Sequence, residues 1–116
     1  MNDLKDRTKK FALRIIKLYT SLPKTIESQV MGKQILRSGT SVGAQYSESI
    51  RARSTAKFIS KIESALQELE ETTYWMELLV ESEIVKAEKL KDLQAEAEEL
   101  IAILVSSVKT AKRNKV

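Results

Sequence analysis

The stretch "LRSGTSVGAQYSESIRAR", residues 36–53, sets Gly39 and Gly43 among hydroxyl side chains and ends on Arg51 and Arg53. Glycine amides beside cations are the parts of a phosphate cradle. A phosphate loop of the P-loop type needs a Gly-Lys-Ser/Thr ending after a buried strand. Here Gly43 runs into Ala44 and Gln45, and no β-rich run precedes it. The same spacing has a second meaning. Gly39 and Gly43 are four apart, at the edge of a helical face with Val42 and Tyr46. Each glycine costs a helix interior about 1 kcal/mol relative to Ala. Close approach of a neighbouring helix or a bulky aromatic offsets that cost, so the stretch reads as a packing helix.

Other chemistry is sparsely supplied. The chain has no Cys, which removes disulfides, thiolate metal sites and cysteine nucleophiles. It has no His, the usual residue of zinc sites and imidazole catalysis. Carboxylate-bridged di-metal enzymes use inward glutamates with Glu-x-x-His pairs, whereas the glutamates here fall mostly off the apolar stripes. No catalytic residues, no metal and no cofactor are expected, and the protein is not expected to be an enzyme.

The elements that carry these residues follow from apolar periodicity at about 100° per residue. Leu4, Phe11, Ile15, Leu18 and Leu22 line one face of a first helix, with Tyr19 beside them, and Pro23 closes it. A second helix begins near Thr25, and from Ile35 its face continues through Gly39, Val42, Tyr46 and Ile50. Ser54 is an N-cap for a third helix striped by Phe58, Ile62, Ala65, Leu66, Leu69, Met76 and Val80. A break near "SEIVK" leads to a fourth, with Leu90, Leu93, Ala97, Leu100, Leu104, Val108 and Ala111 inward and the poor cap Lys86 before it.

Short connections make sequential helices antiparallel neighbours. The fold expected is therefore all-α, an up-down-up-down four-helix bundle forming one domain over residues 1–116. Three Gly, one Pro and 42% apolar residues agree with long helices around a core. The longest apolar run, "LIAILV", is far below the ~20 residues of a membrane span. The opening "MNDLKDRTKK" has no apolar signal region, so a soluble cytoplasmic protein is expected.

Two helices carry a second face. On the second helix it holds Arg37, Ser41, Ala44, Glu48 and Arg51, and on the third Lys61, Ser64, Glu68, Glu71, Thr72 and Trp75, with Leu78 and Leu79 nearby. Such a face is either a solvated surface or a contact with another subunit. Arg37, Ser41, Glu48, Lys61, Glu68, Glu71 and Trp75 are thus candidates for an interface between copies, where Trp is enriched. The alternative for Trp75 is packing along the edge of the bundle.

"LRSGTSVGAQYSESIRARSTAKFISKIESALQELEETTYWMELLVES" resembles the core of the 23S rRNA intervening-sequence protein family, also called four-helix bundle proteins. The likeness extends into "RTKKFALRIIKLYTSLPK" and "AEELIAILVSSVKTAKRN", covering nearly the whole chain. Gln45 in place of an expected Asn and Ser49 in place of a small residue such as Ala are mild departures. The resemblance implies a bacterial cytoplasmic bundle, assembled as a ring-shaped homopentamer, with no enzymatic activity. A related branch serves as the accessory protein of diversity-generating retroelements, which binds a reverse transcriptase and nucleic acid.

Antiparallel topology also polarises the charge. It gathers residues 1–12, 46–62 and 105–116 at one end of the bundle. The bases there are Lys5, Arg7, Lys9, Lys10, Arg51, Arg53, Lys57, Lys61, Lys109, Lys112, Arg113 and Lys115. Against these twelve stand Asp3, Asp6 and Glu48, a net +9, while the rest of the chain carries −5 of the total +4. Lys109, Lys112 and Arg113 suit a helix C-terminus, but bases opening helices oppose the dipole and make a ready anion site. All but Lys115 are candidate contacts to an RNA or DNA backbone. A plain solvated face, or contact with acidic neighbours, is the alternative. Aromatics are 5% of the chain, so contact with nucleic acid should be salt-sensitive and backbone-directed rather than stacked.

Overall fold

The structure is a computed structural model that describes residues 3–114. Local chemistry starts and stops each helix. Helix α1 (Asp3–Ser21) ends just before Leu22 and Pro23. The Thr25 hydroxyl caps α2 (Ile26–Ser49) by accepting from the Ser28 N–H, and Ser54 caps α3 (Thr55–Glu81) by accepting from the Lys57 N–H at 3.1 Å. Lys86 stands at the cap position of α4 (Ala87–Arg113), and its side chain makes no capping hydrogen bond.

Glu83 supplies the turn between α3 and α4. Its φ of 65° puts a non-glycine residue in the left-handed region. The Ile84 N–H donates to the Leu79 carbonyl at 3.0 Å and the Glu83 N–H to the Val80 carbonyl at 2.9 Å. These are the two bonds of a Schellman cap.

Contacts between helices run in antiparallel register. A Cβ built on Gly32 would meet Tyr19 and Leu22, one on Gly39 would meet Ile15, and one on Gly43 would meet Thr8. Across α2 and α3, Arg37 reaches Glu68 and Lys61 reaches Glu48. The packed pairs are α1–α2, α2–α3, α3–α4 and, most sparsely, α1–α4, so α1 and α3 stand on a diagonal. The result is an all-α four-helix bundle about 51 × 23 × 21 Å. Among the described residues no helix is long and apolar enough to cross a membrane.

Its core joins Phe11 and Ile15 to Ile35 and Val42, Ile62 and Leu69, and Leu100 and Leu104. The α4 stripe is as expected, except that Ala111 is only half-buried. In α3 the arc is turned: Ile59, Thr72 and Leu79 are buried, whereas Phe58, Leu66 and Val80 lie half-buried at its border. Thr72 was expected on the outer second face. It points inward because Ser38 gives its hydroxyl a partner at 2.8 Å, while the Glu68 carbonyl lies 2.7 Å away. Ile50, expected on the inner face, is 43% exposed, because it caps α2 past the last packed layer. Thr8, Ser28, Ser38 and Ser49 are buried polar residues that apolar periodicity does not register.

Gly39 resolves the opening stretch as packing. Its missing Cβ would stand 2.7 Å from Ile15 Cγ1, closer than van der Waals contact permits. Gly43 is looser, with Thr8 Oγ1 at 3.3 Å, and it lines a shallow groove instead.

Candidate nucleic-acid interface

One end of the bundle brings together the start of α1, the α2–α3 junction and the end of α4. Lys5 and Lys9 border the groove lined by Gly43 and Ser47. Ala52, Arg53 and Thr55 line a second groove with Ala111 and Asn114. Lys112 Nζ lies 3.5 Å from Glu63 Oε2 in α3. Lys115 lies outside the described residues.

The cations at this end are not equivalent. Arg7 donates from Nε and Nη2 to both oxygens of Glu96, at 3.0 and 2.7 Å, and also to Glu99 at 3.2 Å. The Glu96 hydrogen bond holds its guanidinium above the ordinary arginine range. Lys10 pairs with Asp6 at 3.0 Å, and that hydrogen bond raises its pKa. Lys61 pairs with Glu48 at 2.7 Å. Glu63, Glu96 and Glu99 come from parts of the sequence counted with the acidic remainder, so the end is less positive than the sequence sum. Only the Lys10–Asp6 pair, at i and i+4, has a spacing that reveals it.

Lys9, Arg51, Arg53, Lys57, Lys109 and Arg113 are exposed and have no ion-pair partner among the described residues. Arg51, Arg53 and Lys57 bracket the first turn of α3, which contains no acid. The first turns of α1, α2 and α4 each hold an acid: Asp3 and Asp6, Glu27, and Glu88. Acids offset the positive end of a helix dipole, so α3 alone presents that end together with unneutralised bases. The arrangement suits a phosphate oxyanion.

The second candidate set lies along the α2–α3 seam. Arg37 donates to Glu68 at 3.2 Å and to Glu71, and Glu68 is the main cause of its raised pKa. Ser41 Oγ donates to the Arg37 carbonyl at 2.6 Å. Glu48 and Lys61 complete this seam within one chain. Trp75 is half-buried against the core, and its Nε1 is buried without a hydrogen-bond partner among the described residues. Its ring meets Tyr74 edge-on, with centroids 5.2 Å apart. Among the described residues no cluster of three acidic, His or Cys side chains is placed to hold a metal.

A model of the 23S rRNA-intervening sequence protein family matches residues 2–106. The chain belongs to this family. A crystal structure of an S23 ribosomal protein family member from Bacteroides thetaiotaomicron, described as of unknown function, is similar at 43% identity with a TM-score of 0.86. That likeness covers 90% of this chain and 97% of the other. Comparison with curated proteins gives no match. Membership in the 23S rRNA-intervening sequence family thus agrees with the four-helix bundle.

Proposed function

We propose that this chain is a non-enzymatic bacterial accessory protein of the cytoplasm that binds RNA or DNA backbone through the cationic end of its bundle. It acts as a homo-oligomer, a pentamer by family resemblance, and docks a protein partner such as a reverse transcriptase. The observation that carries the proposal is the acid-free first turn of α3 with Arg51, Arg53 and Lys57 around it, none of them ion-paired among the described residues. Each phosphate contact releases counterions, so affinity falls steeply with salt. Copies in a ring would multiply the field of that end.

Fluorescence anisotropy with a single-stranded RNA and a DNA duplex tests it. With about four phosphate contacts per protomer, affinity should fall by roughly 100-fold between about 50 and 200 mM salt. Replacing Arg51, Arg53 and Lys57 by Glu should abolish binding. Insensitivity to both salt and the triple change removes the backbone-binding proposal.

A second proposal is a self-assembling scaffold with no nucleic-acid role. Exposed apolar residues favour it: Ile26 and Val30 on α2 are 82% and 57% exposed. It predicts that Trp75→Ala dissociates the assembly while neither form binds nucleic acid.

A further inference from the structure

The sparse α1–α4 seam opens, at the end away from the cationic rim, into a cleft of about 540 Å³. Leu18, Val85, Leu90 and Leu93 form an apolar floor, and Arg14, Lys17 and Lys89 stand on its rim. All three cations are exposed, none has an ion-pair partner among the described residues, and no acidic side chain lines the cleft. Three like charges around an apolar floor repel one another and leave the cleft suited to an acidic amphipathic surface.

The same chain carries such a surface on another side. Glu70, Tyr74, Glu77 and Glu81 follow at steps of four, three and four along α3, which puts them on one helical face. All four are exposed, and the three glutamates have no ion-pair partner among the described residues. Tyr74, 52% exposed in the middle of this stripe, is braced edge-on by Trp75. A braced Tyr between carboxylates matches an apolar floor between cations in both shape and sign. Because α1 and α3 are diagonal, a chain cannot fold its own stripe into its own cleft.

We infer that the α3 stripe of one copy docks in the α1–α4 cleft of the next, with Tyr74 over Leu18 and Leu93 and the glutamates among Arg14, Lys17 and Lys89. This rests on the self-association in the proposed function and names the two faces that meet. The contact joins unlike faces, so it closes into a ring when the rotation between copies allows and otherwise runs on as a filament. Trp75 then acts through Tyr74 rather than by entering the interface.

Sedimentation velocity on the full chain tests the inference. Lys17→Glu with Lys89→Glu, or Glu77→Lys with Glu81→Lys, should each weaken association on the order of 100-fold by setting like charges face to face. Circular dichroism should be unchanged, since these side chains are exposed. Combining all four changes in one chain should restore the assembly, since every stripe then again meets a cleft of opposite sign. A wild-type oligomer indifferent to both double variants, or a fourfold variant that stays dissociated, overturns the pairing of faces while leaving self-association intact. A wild-type chain that is monomeric at every concentration overturns both.

Discussion

Arg7 Nη2 lies 2.7 Å from Glu96 Oε1 while its Nε lies 3.0 Å from Glu96 Oε2, a two-pronged bridge from the first helix to the last. Both side chains are only about one-fifth exposed, 23% and 20%. A bidentate, partly sheltered pair has the geometry that most surface ion pairs lack. Arg7→Ala should lower stability by about 1 kcal/mol, a shift of about 4 °C in Tm. A double-mutant cycle with Glu96→Ala, read by urea denaturation, should return most of that loss as coupling.

The same bridge separates two kinds of cation at the basic end. Arg7 is held by Glu96 and Glu99, whereas Arg53 is exposed and has no ion-pair partner among the described residues. Arg53→Ala should therefore reduce the salt dependence of nucleic-acid affinity by about one unit of slope per protomer. Arg7→Ala should leave that slope unchanged. Anisotropy titrations across a salt series read both, and equal effects would contradict the assignment.

Gly39 and Gly43 should differ in their response to alanine. At Gly39 the added methyl meets Ile15 Cγ1 at 2.7 Å and Cγ2 at 2.9 Å, a crowding that costs about 1–3 kcal/mol. That exceeds or matches the helix propensity gained, so Gly39→Ala should destabilise. At Gly43 the nearest atom is Thr8 Oγ1 at 3.3 Å, and the gain of about 1 kcal/mol in propensity offsets the strain. Gly43→Ala should stay within about 0.5 kcal/mol of wild type by urea denaturation.

The buried Ser38–Thr72 pair should show the asymmetry of hydrogen-bond removal. Thr72→Val keeps the shape and strands the Ser38 hydroxyl, which retains only a 3.4 Å approach to the Ile35 carbonyl. The loss should be about 1–3 kcal/mol. Adding Ser38→Ala removes the stranded group, and the double variant should recover part of the loss in the same measurement.

Glu83 adopts a φ of 65° at the position of a Schellman cap where glycine is favoured. Glu83→Gly should raise stability by about 0.5–1 kcal/mol. Its Tm should rise, with no change in nucleic-acid affinity.

What the sequence disclosed follows the range of each physical signal. The cap at Ser54, the helix start near Thr25 and the stop at Pro23 are local signals, and the structure places helix ends at each, with Thr25 itself proving to be a cap. Apolar periodicity found the inner faces but missed the turn of the α3 arc, because Thr72 is polar and its reason for burial, Ser38, is 34 residues away. The Gly39 contact was legible as a cost in need of an offset, though not its partner Ile15. For the basic end, topology brought the right segments together. Glu63, Glu96 and Glu99 were invisible as partners, since only the folded chain sets them against Lys112 and Arg7. The sign of a region is readable from sequence, whereas which of its charges are free depends on coordinates.

The order in which helices meet also bears on how the chain reaches this state. Three of the four packed pairs join helices consecutive along the backbone, so most of the bundle assembles by short-range zippering. The Arg7–Glu96 bridge spans 89 residues, against 31 for Arg37–Glu68. Loop-closure entropy makes the longer connection costlier by about 1 kcal/mol. The seam between the first and last helices should thus be the last to close and the first to breathe.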